Sequence, residues 1–488
     1  MSGIVTYGAY VPRLRLPLRM ISEGQPGAKQ GRGKSGERSV CNWDEDVITM
    51  GVEAARDCLS GGVQDIDSVW LSSTTAPFAD RQNSGVIMGA LNLGESLGSQ
   101  DIGGSQRAGT TALINALNMS GEAKKLVIAS ENRHVRAGSP HELRFGDGAA
   151  AFTTGNHDVI AEFLGCASRT MDFVDHFRAS GEQDDYFWEE RWIRDEGAMK
   201  IVPQTIEIAL AKAGLSADEI DHAILPSPVP RLRERIAKAA GLKEEAIAPA
   251  LEGTVGDTGC AHPLLMLAAT LEKASPGETI LVVSFGQGCD ALLLRTTDAL
   301  AGYAPATGVT GTVAARREIS DYAKYLSFAG LIERELGMRA EGDNKTALTQ
   351  AYRRRDLLHG LVGGECSACG TRQLPRTRYC INPNCRELDT QEPFCFADIP
   401  ARIVTWSADH LSFNPDPPSH YGLIEFEDGG RMFANFAEVV PGQIDVGTRM
   451  RMAFRIKDFD RKRNFRRYFW KAVPEMAPSE ETRDQPHG

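Results

Sequence analysis

Four cysteines carry the most specific chemistry in the sequence: Cys366-x2-Cys369 and, ten residues further on, Cys380-x4-Cys385. Two thiolate pairs can close a tetrahedral sulfur shell around a zinc ion, and Gly370 permits the tight turn after the first pair. The second pair encloses four residues (Ile-Asn-Pro-Asn), which makes a looser knuckle. Four protein ligands leave no open position, so the expected metal is structural and part of the folding free energy. A second constellation lies in the turn Gly256-Asp257-Thr258-Gly259-Cys260-Ala261-His262-Pro263. It offers a carboxylate (Asp257), a thiol (Cys260) and an imidazole (His262). They are read as a proton relay or, more simply, as a helix-capping His beside a small buried Cys. Arg231, Arg233, Arg235 and Lys238 open a helix after Pro230. They are read as holding phosphates with bidentate geometry or as a solvated helix face. Residues 449–471 contain ten Lys/Arg and two Asp with interleaved aromatics, which raises a single-strand nucleic-acid surface as a rival reading. The P-loop-like Gly27–Ser35 has five residues between Gly27 and Gly33 instead of four and no preceding apolar strand, so a loop is expected.

The elements that must position these groups follow from the whole chain. Its 488 residues predict several domains, and 24% charged with 42% hydrophobic residues suit a globular protein. No apolar run is long enough to span a membrane, and MSGIVTYGAYVPRLRL does not resemble a signal peptide. The net charge of −11 argues against general attraction to nucleic acid or anionic lipid. Five scattered cysteines and five clustered between 366 and 395 suit a reducing, cytoplasmic setting. Strands are expected over 68–72, 125–130, 149–153, 222–225, 280–284 and 291–294, and helices over 44–59, 110–119, 204–213 and 263–274, which is α/β layering. Residues 65–70 and 125–130 resemble 219–224 and 279–284, both at an offset of 154. The Gly-rich lead-ins Gly103-Gly104-Ser105-Gln106 and Gly256–Cys260 share that offset, which sets Gln106 opposite Cys260. A duplicated unit of ~150 residues is expected.

Several stretches carry a family resemblance: Ile4–Arg13, Glu37–Val40 through Asp44–Asp46, Arg107-Ala108-Gly109-Thr110, Ser284–Gly288 and Asp321–Leu326. Residues 1–330 resemble the 3-hydroxy-3-methylglutaryl-CoA synthases of the thiolase superfamily. The resemblance implies a duplicated five-layer αβαβα fold with pseudo-repeats about 1–165 and 166–330, usually a homodimer, acting on an acyl-CoA thioester. Coenzyme A would then enter as part of the substrate, with its phosphates near Arg231, Arg233 and Arg235. The remainder resembles the zinc-ribbon and OB-fold proteins that accompany acyl-CoA thiolases. It divides into a helical linker (331–362), a zinc ribbon (363–398), an OB-fold β-barrel (399–475) and a disordered tail (476–488). A separate thiolase subunit is a further implied partner.

The same resemblance exposes substitutions. The synthase nucleophile immediately precedes Lys/Arg-Ala-Gly-Thr, and that place holds Gln106. Its general-acid glutamate corresponds to Thr74, its histidine to Pro226, and the asparagine of its Gly-Asn-Thr turn to Asp257. An amide cannot hold an acyl group as a thioester, but it can donate to a thioester carbonyl at a helix N-terminus. Gln at this place is similar to decarboxylating ketosynthase-like domains, and some thiolase-like partners of zinc-ribbon/OB modules resemble aldolases. The leading expectation is therefore carbon–carbon bond making or breaking without an acyl-enzyme, by aldol, retro-aldol or decarboxylative chemistry. A Claisen-type acyltransferase using Cys260 and a non-catalytic CoA-binding partner are the alternatives. The Gly259–Pro263 turn looks like the thiolase Gly-His-Pro turn, and Cys289 lies in a loop resembling the oxyanion loop. His134 and His141 are expected to be structural or solvated.

Overall fold

The computed structural model describes residues 2–24, 35–62, 65–119, 121–227, 229, 231–335, 337–340 and 347–475. All of the P-loop-like segment Gly27–Ser35 except Ser35, and the expected tail (476–488), lie outside the described residues. The chain forms two compact units, Met1–Met88 with Leu93–Arg334, and Gly89–Asn92 with Glu335–Gly488.

The first unit is built on nine strands: β1 (Gly3–Tyr10), β2 (Ile66–Ser72), β3 (Gly98–Ile102), β4 (Lys124–Glu131), β5 (Gly148–Gly155), β6 (Ala161–Thr170), β7 (His222–Ile224), β8 (Thr279–Phe285) and β9 (Gly288–Thr296). Their order is β7-β8-β9-β6-β1-β5-β4-β2-β3. Read outward from the centre, β1-β5-β4-β2 is repeated by β6-β9-β8-β7. Corresponding pairs run in the same sense, antiparallel twice and then parallel. An isolated parallel bridge from Ala223 to Ile247 stands where β3 pairs with β2. Within the sheet, the two halves pair at Gly3 and Ile4, opposite Glu162 and Ala161.

Four helices complete the layers: α1 (Val47–Leu59), α2 (Ala108–Asn118), α3 (Met199–Ala213) and α4 (His262–Leu271). Helix α1 packs on β1, β4 and β5, and α3 on β6 and β9. Helices α2 and α4 touch strands of both halves and each other, so they form the middle of five layers. Nine of the ten residues of α4 are buried, as expected for a helix that is apolar all round. Close approach there depends on Gly109, where a β-carbon would sit 2.3 Å from the Cys260 carbonyl oxygen.

The expected strands and helices all occur with shifted ends. The helix expected from 44 begins at Val47, because Asp46 caps it by accepting from the Ile48 and Thr49 N–H groups. Strands β1, β3 and β6 were not expected. The polar edge strand β3 (Gly-Ser-Gln-Asp-Ile) has no apolar face for pattern reading to find.

In the second unit, the helical linker expected over 331–362 is broken. Among the described residues there are two short helices, Leu348–Arg353 and Arg355–Leu358, and Arg354 between them leaves helical geometry. A three-stranded sheet follows (Val362–Cys366 between Arg372–Gln373 and Gln391–Cys395), then a five-stranded antiparallel sheet. In the latter, Ala401–Asp409 lies between Ser419–Phe426 and Arg449–Asp460, flanked by Arg431–Asn435 and Phe465–Pro474. A parallel bridge from Phe436 to Ala472 draws the two outer strands together, as in a small barrel. Phe426, Met450, Met452, Phe454 and Trp470 fill its interior. Among the described residues, no helix is long and apolar enough to cross a membrane.

Candidate active site and thiolate cluster

A cavity of about 330 Å³ in the first unit is lined by groups from both halves, including Gln106, Asp257 and His262. Gln106 lies two residues before α2. Ser105 and Arg107 fix that entry by donating to the Gly286 carbonyl, at 2.9 Å each. Arg107 also reaches Asp290 at 2.7 Å. The Gln106 amide is oriented by a relay. Buried Glu131 accepts from the Thr74 hydroxyl (3.1 Å), so the Thr74 oxygen is free to accept from Gln106 Nε2 (3.3 Å). Among the described residues, Gln106 Oε1 is buried without a partner. Glu131 itself is filled by donors: Ser73, Thr74 and Thr75 on one oxygen, and the Cys260 N–H on the other.

Asp257 Oδ1 accepts from the Gly259 N–H at 2.9 Å, and its other oxygen faces Arg133 at 3.7 Å. Gly259 has φ +57°, and a β-carbon there would sit 2.7 Å from Gln106 Oε1. His262 is almost fully buried. Its Nδ1 accepts from the Thr258 N–H (3.3 Å) and its Nε2 faces Glu252 at 3.6 Å. Burial opposes the charged imidazole, but the Glu252 carboxylate outweighs it and raises the His262 pKa. Burial likewise opposes the Glu252 charge, yet His262 holds that carboxylate down to about 2.

Cys260 is adjacent to this group but is not among the lining residues, and it is fully buried. Burial, and then Glu131, push its thiol well above the usual range. Burial also pushes Cys289 up to about 12. Among the described residues, no cysteine lines the cavity. Thr74 acts through Gln106, whereas Pro226 is part of the wall. Of the three arginines, Arg233 is half-buried and Arg231 and Arg235 are exposed. Arg235 stands 3.6 Å from Asp195, and their helix Leu232–Ala239 presents Leu232 and Ile236 to the cavity.

The sequence reading missed His176. A short hairpin pairs His176–Phe177 with Tyr186–Phe187 and brings the ring to the cavity. His176 Nδ1 lies 2.7 Å from Asp175 Oδ2, and its Nε2 lies 3.5 Å from Gln106 Nε2. The available signal was an Asp-His pair within an aromatic-rich stretch, Phe173 to Trp192. His141, expected to be structural or solvated, also lines the cavity. It stacks on Phe187 at 3.7 Å, and burial with Arg144 and Arg133 lowers its pKa to about 4.

In the second unit the sulfur atoms of Cys366, Cys369, Cys380 and Cys385 all lie within 4.8 Å of one another. The Cys366–Cys385 and Cys369–Cys380 separations are 3.8 and 3.6 Å. A tetrahedron with Zn–S bonds of ~2.3 Å has edges of ~3.8 Å, so the cluster fits that ion. The looser second knuckle is tightened because the turn closes over Asn382–Cys385, where the Cys385 N–H donates to the Asn382 carbonyl at 3.0 Å. The aromatic-basic stretch 449–471 is largely satisfied internally. Tyr468 and Trp470 are core residues, and Arg455 and Arg467 pair with Glu438 (2.6 Å) and Asp458 (2.7 Å).

Comparison with known proteins agrees with this architecture. Residues 210–295 match the family described as 3-oxoacyl-[acyl-carrier-protein (ACP)] synthase III C terminal, and residues 398–455 match the ChsH2 C-terminal OB-fold domain. An HMG-CoA synthase solved with CoA aligns with a TM-score of 0.60 at 17% identity, covering 69% of this chain and 92% of that one. The 3-oxoacyl-(acyl carrier protein) synthase III of Pseudomonas aeruginosa gives 0.54 at 19%, covering 61% and 98%. At such identities the likeness is one of fold, and that fold is the thiolase fold. In sequence, the chain is 32% identical over 342 residues to the hydroxymethylglutaryl-CoA synthase of Archaeoglobus fulgidus, covering 67% of this chain and 98% of that relative. The corresponding enzyme of Caldivirga maquilingensis is 28% identical over 343 residues, covering 68% and 98%. The chain belongs to the hydroxymethylglutaryl-CoA synthase family, with an OB-fold domain of the ChsH2 type fused behind the synthase-like part. It is an enzyme of the acyl-CoA acyltransferase or synthase type.

Proposed function

We propose that this enzyme makes or breaks a carbon–carbon bond beside the carbonyl of a CoA thioester without forming an acyl-enzyme, by aldol, retro-aldol or decarboxylative chemistry. The observation that carries the proposal is Gln106. Its amide occupies the entry to α2 and faces the cavity, while the nearby thiols Cys260 and Cys289 are buried outside it. An amide N–H donor at a thioester oxygen stabilises the enolate that all three reactions share, and none of them needs a nucleophile. The Cys260 acyltransferase alternative requires a thiolate where burial and the Glu131 carboxylate both oppose one. Arg231 and Arg235 are assigned to the CoA phosphates, being exposed on the helix whose Leu232 and Ile236 line the cavity. The four-thiolate cluster is assigned to a structural zinc ion. A homodimer, which the family resemblance implies, and a reducing cytoplasm, which suits ten free cysteines, are the assembly and setting we favour.

The test is intact-protein mass spectrometry after incubation with acetyl-CoA, acetoacetyl-CoA and 3-hydroxy-3-methylglutaryl-CoA, with product analysis of the same mixtures. The expected result is thioester turnover with no mass added to the protein. A stable acyl adduct that maps to Cys260 would sink the proposal.

A further inference from the structure

The geometry points to His176 as the acid–base group of this site, with Asp175 as the residue that positions it. The inference rests on the nucleophile-free reading above. The Asp175 carboxylate at 2.7 Å accepts from Nδ1–H, which leaves Nε2 as the lone-pair nitrogen directed at Gln106. Both side chains are 12% exposed, so the ring is sheltered yet reachable. It is stacked on Phe187 at 5.2 Å. Its hairpin is tied down by Asp185, which accepts from Arg133 and Arg178 at 2.8 Å each.

The other titratable groups of the cavity, and Glu131 behind it, are engaged elsewhere; Glu190 in the wall pairs with Arg144 at 2.8 Å. Glu131 already accepts from five donors, and Asp257 is committed to Arg133 and the Gly259 N–H. His262 accepts from Thr258 and turns its second nitrogen toward Glu252. His141 is stacked between Phe187 and Phe145. The charged groups facing His176 are Asp175, Asp185 and Arg178 from its own hairpin region, Arg133 from the loop after β4, and Asp257 across the cavity.

A 3-hydroxyacyl thioester carries its carbonyl oxygen and its hydroxyl close enough to meet Gln106 and His176 together. In the cleavage direction, His176 Nε2 takes the hydroxyl proton as the C2–C3 bond breaks. The bonding pair passes to C2 and the thioester oxygen as an enolate that accepts the one Gln106 N–H not given to Thr74, the N–H that faces His176 Nε2 before substrate enters, and C3 departs as a ketone or aldehyde. The imidazolium then returns the proton to C2, so no co-reactant is needed. Gln106 Oε1, buried without a partner, is free to accept a donor from the substrate.

The test isolates the proton transfer. Full-length protein is incubated in D2O with acetyl-, propionyl-, isobutyryl- and hexanoyl-CoA, and loss of C2 protons is followed by NMR. Wild type should exchange at least one of these. His176→Gln should slow exchange about 100-fold or more, the ordinary reach of general acid–base catalysis. Imidazole should partly rescue His176→Ala. Asp175→Asn should lower the rate without lowering the melting temperature, and Asp175→Glu should restore part of it; a merely structural Asp175 would show its loss in the melt. Thermal melts check that the variants fold. Exchange at the wild-type rate in folded His176→Gln overturns this inference and leaves the function above standing. No exchange by wild type with any of the four overturns both.

Discussion

Gln106 cannot attack a thioester, so its value lies in how firmly its amide is aimed. Glu131 orients Thr74, Thr74 accepts from Gln106, and the absence of a side chain at Gly286 leaves room, since a β-carbon there would sit 3.1 Å from that of Gln106. Removing one preorganised donor from a developing enolate costs about 10²–10³-fold in turnover. Gln106→Ala should therefore lower kcat/KM for thioester turnover by that factor with an unchanged melting temperature, measured by product formation and by calorimetry. Gln106→Cys should do something wild type does not: take up one acyl group from acetyl-CoA, seen as added mass on the intact protein, because it restores a thiol before the start of α2. Gln106 was visible in the sequence because a local motif surrounds it. His176 was not, because a separation of 70 positions gives local patterns no way to join the two.

At the scale of elements, the same contrast runs through the fold. Strands β4 and β8 were evident as apolar runs, and their shared offset exposed the duplication that the strand order repeats. The hairpin carrying His176 has only two residues in each strand, too few for any periodicity, so tertiary packing alone defines it. His262 was singled out for proton transfer, and its setting makes it equally an anchor for the start of α4. That role has a pH signature. The His262 pKa is raised above its ordinary 6.5, so its contribution is full below that value and is lost as pH rises through the folded pKa. Glu252 is lowered from 4.5 to about 2, so its contribution is present above 4.5 and is lost as pH falls toward 2. Glu252→Gln should therefore destabilise the first unit most near pH 5–6, on the order of 1–3 kcal/mol. The difference from wild type should shrink toward both pH 2 and alkaline pH. Denaturant melts across that range check it, and a pH-independent difference would contradict an ion pair.

For the whole molecule, the two units divide the work by chemistry. All residues lining the cavity belong to the first unit, and all four clustered thiols lie within residues 366–385 of the second. Of the four thiols, only Cys366 lies in a strand of the three-stranded sheet; Cys369, Cys380 and Cys385 stand on the segments between its strands. A tetrahedral ion there would add its binding free energy directly to folding. The full-length chain should bind one zinc ion per chain by elemental analysis. Its removal with a strong chelator at neutral pH should abolish the thermal transition of the second unit while that of the first remains. Cys366→Ser combined with Cys369→Ser should reproduce the loss without chelator. A structural ion also predicts the order of events: melting of the second unit accompanies metal release, and C2-proton exchange in the first unit persists. If exchange instead stopped on chelation while both thermal transitions survived, the metal would be acting in the chemistry and not in the fold.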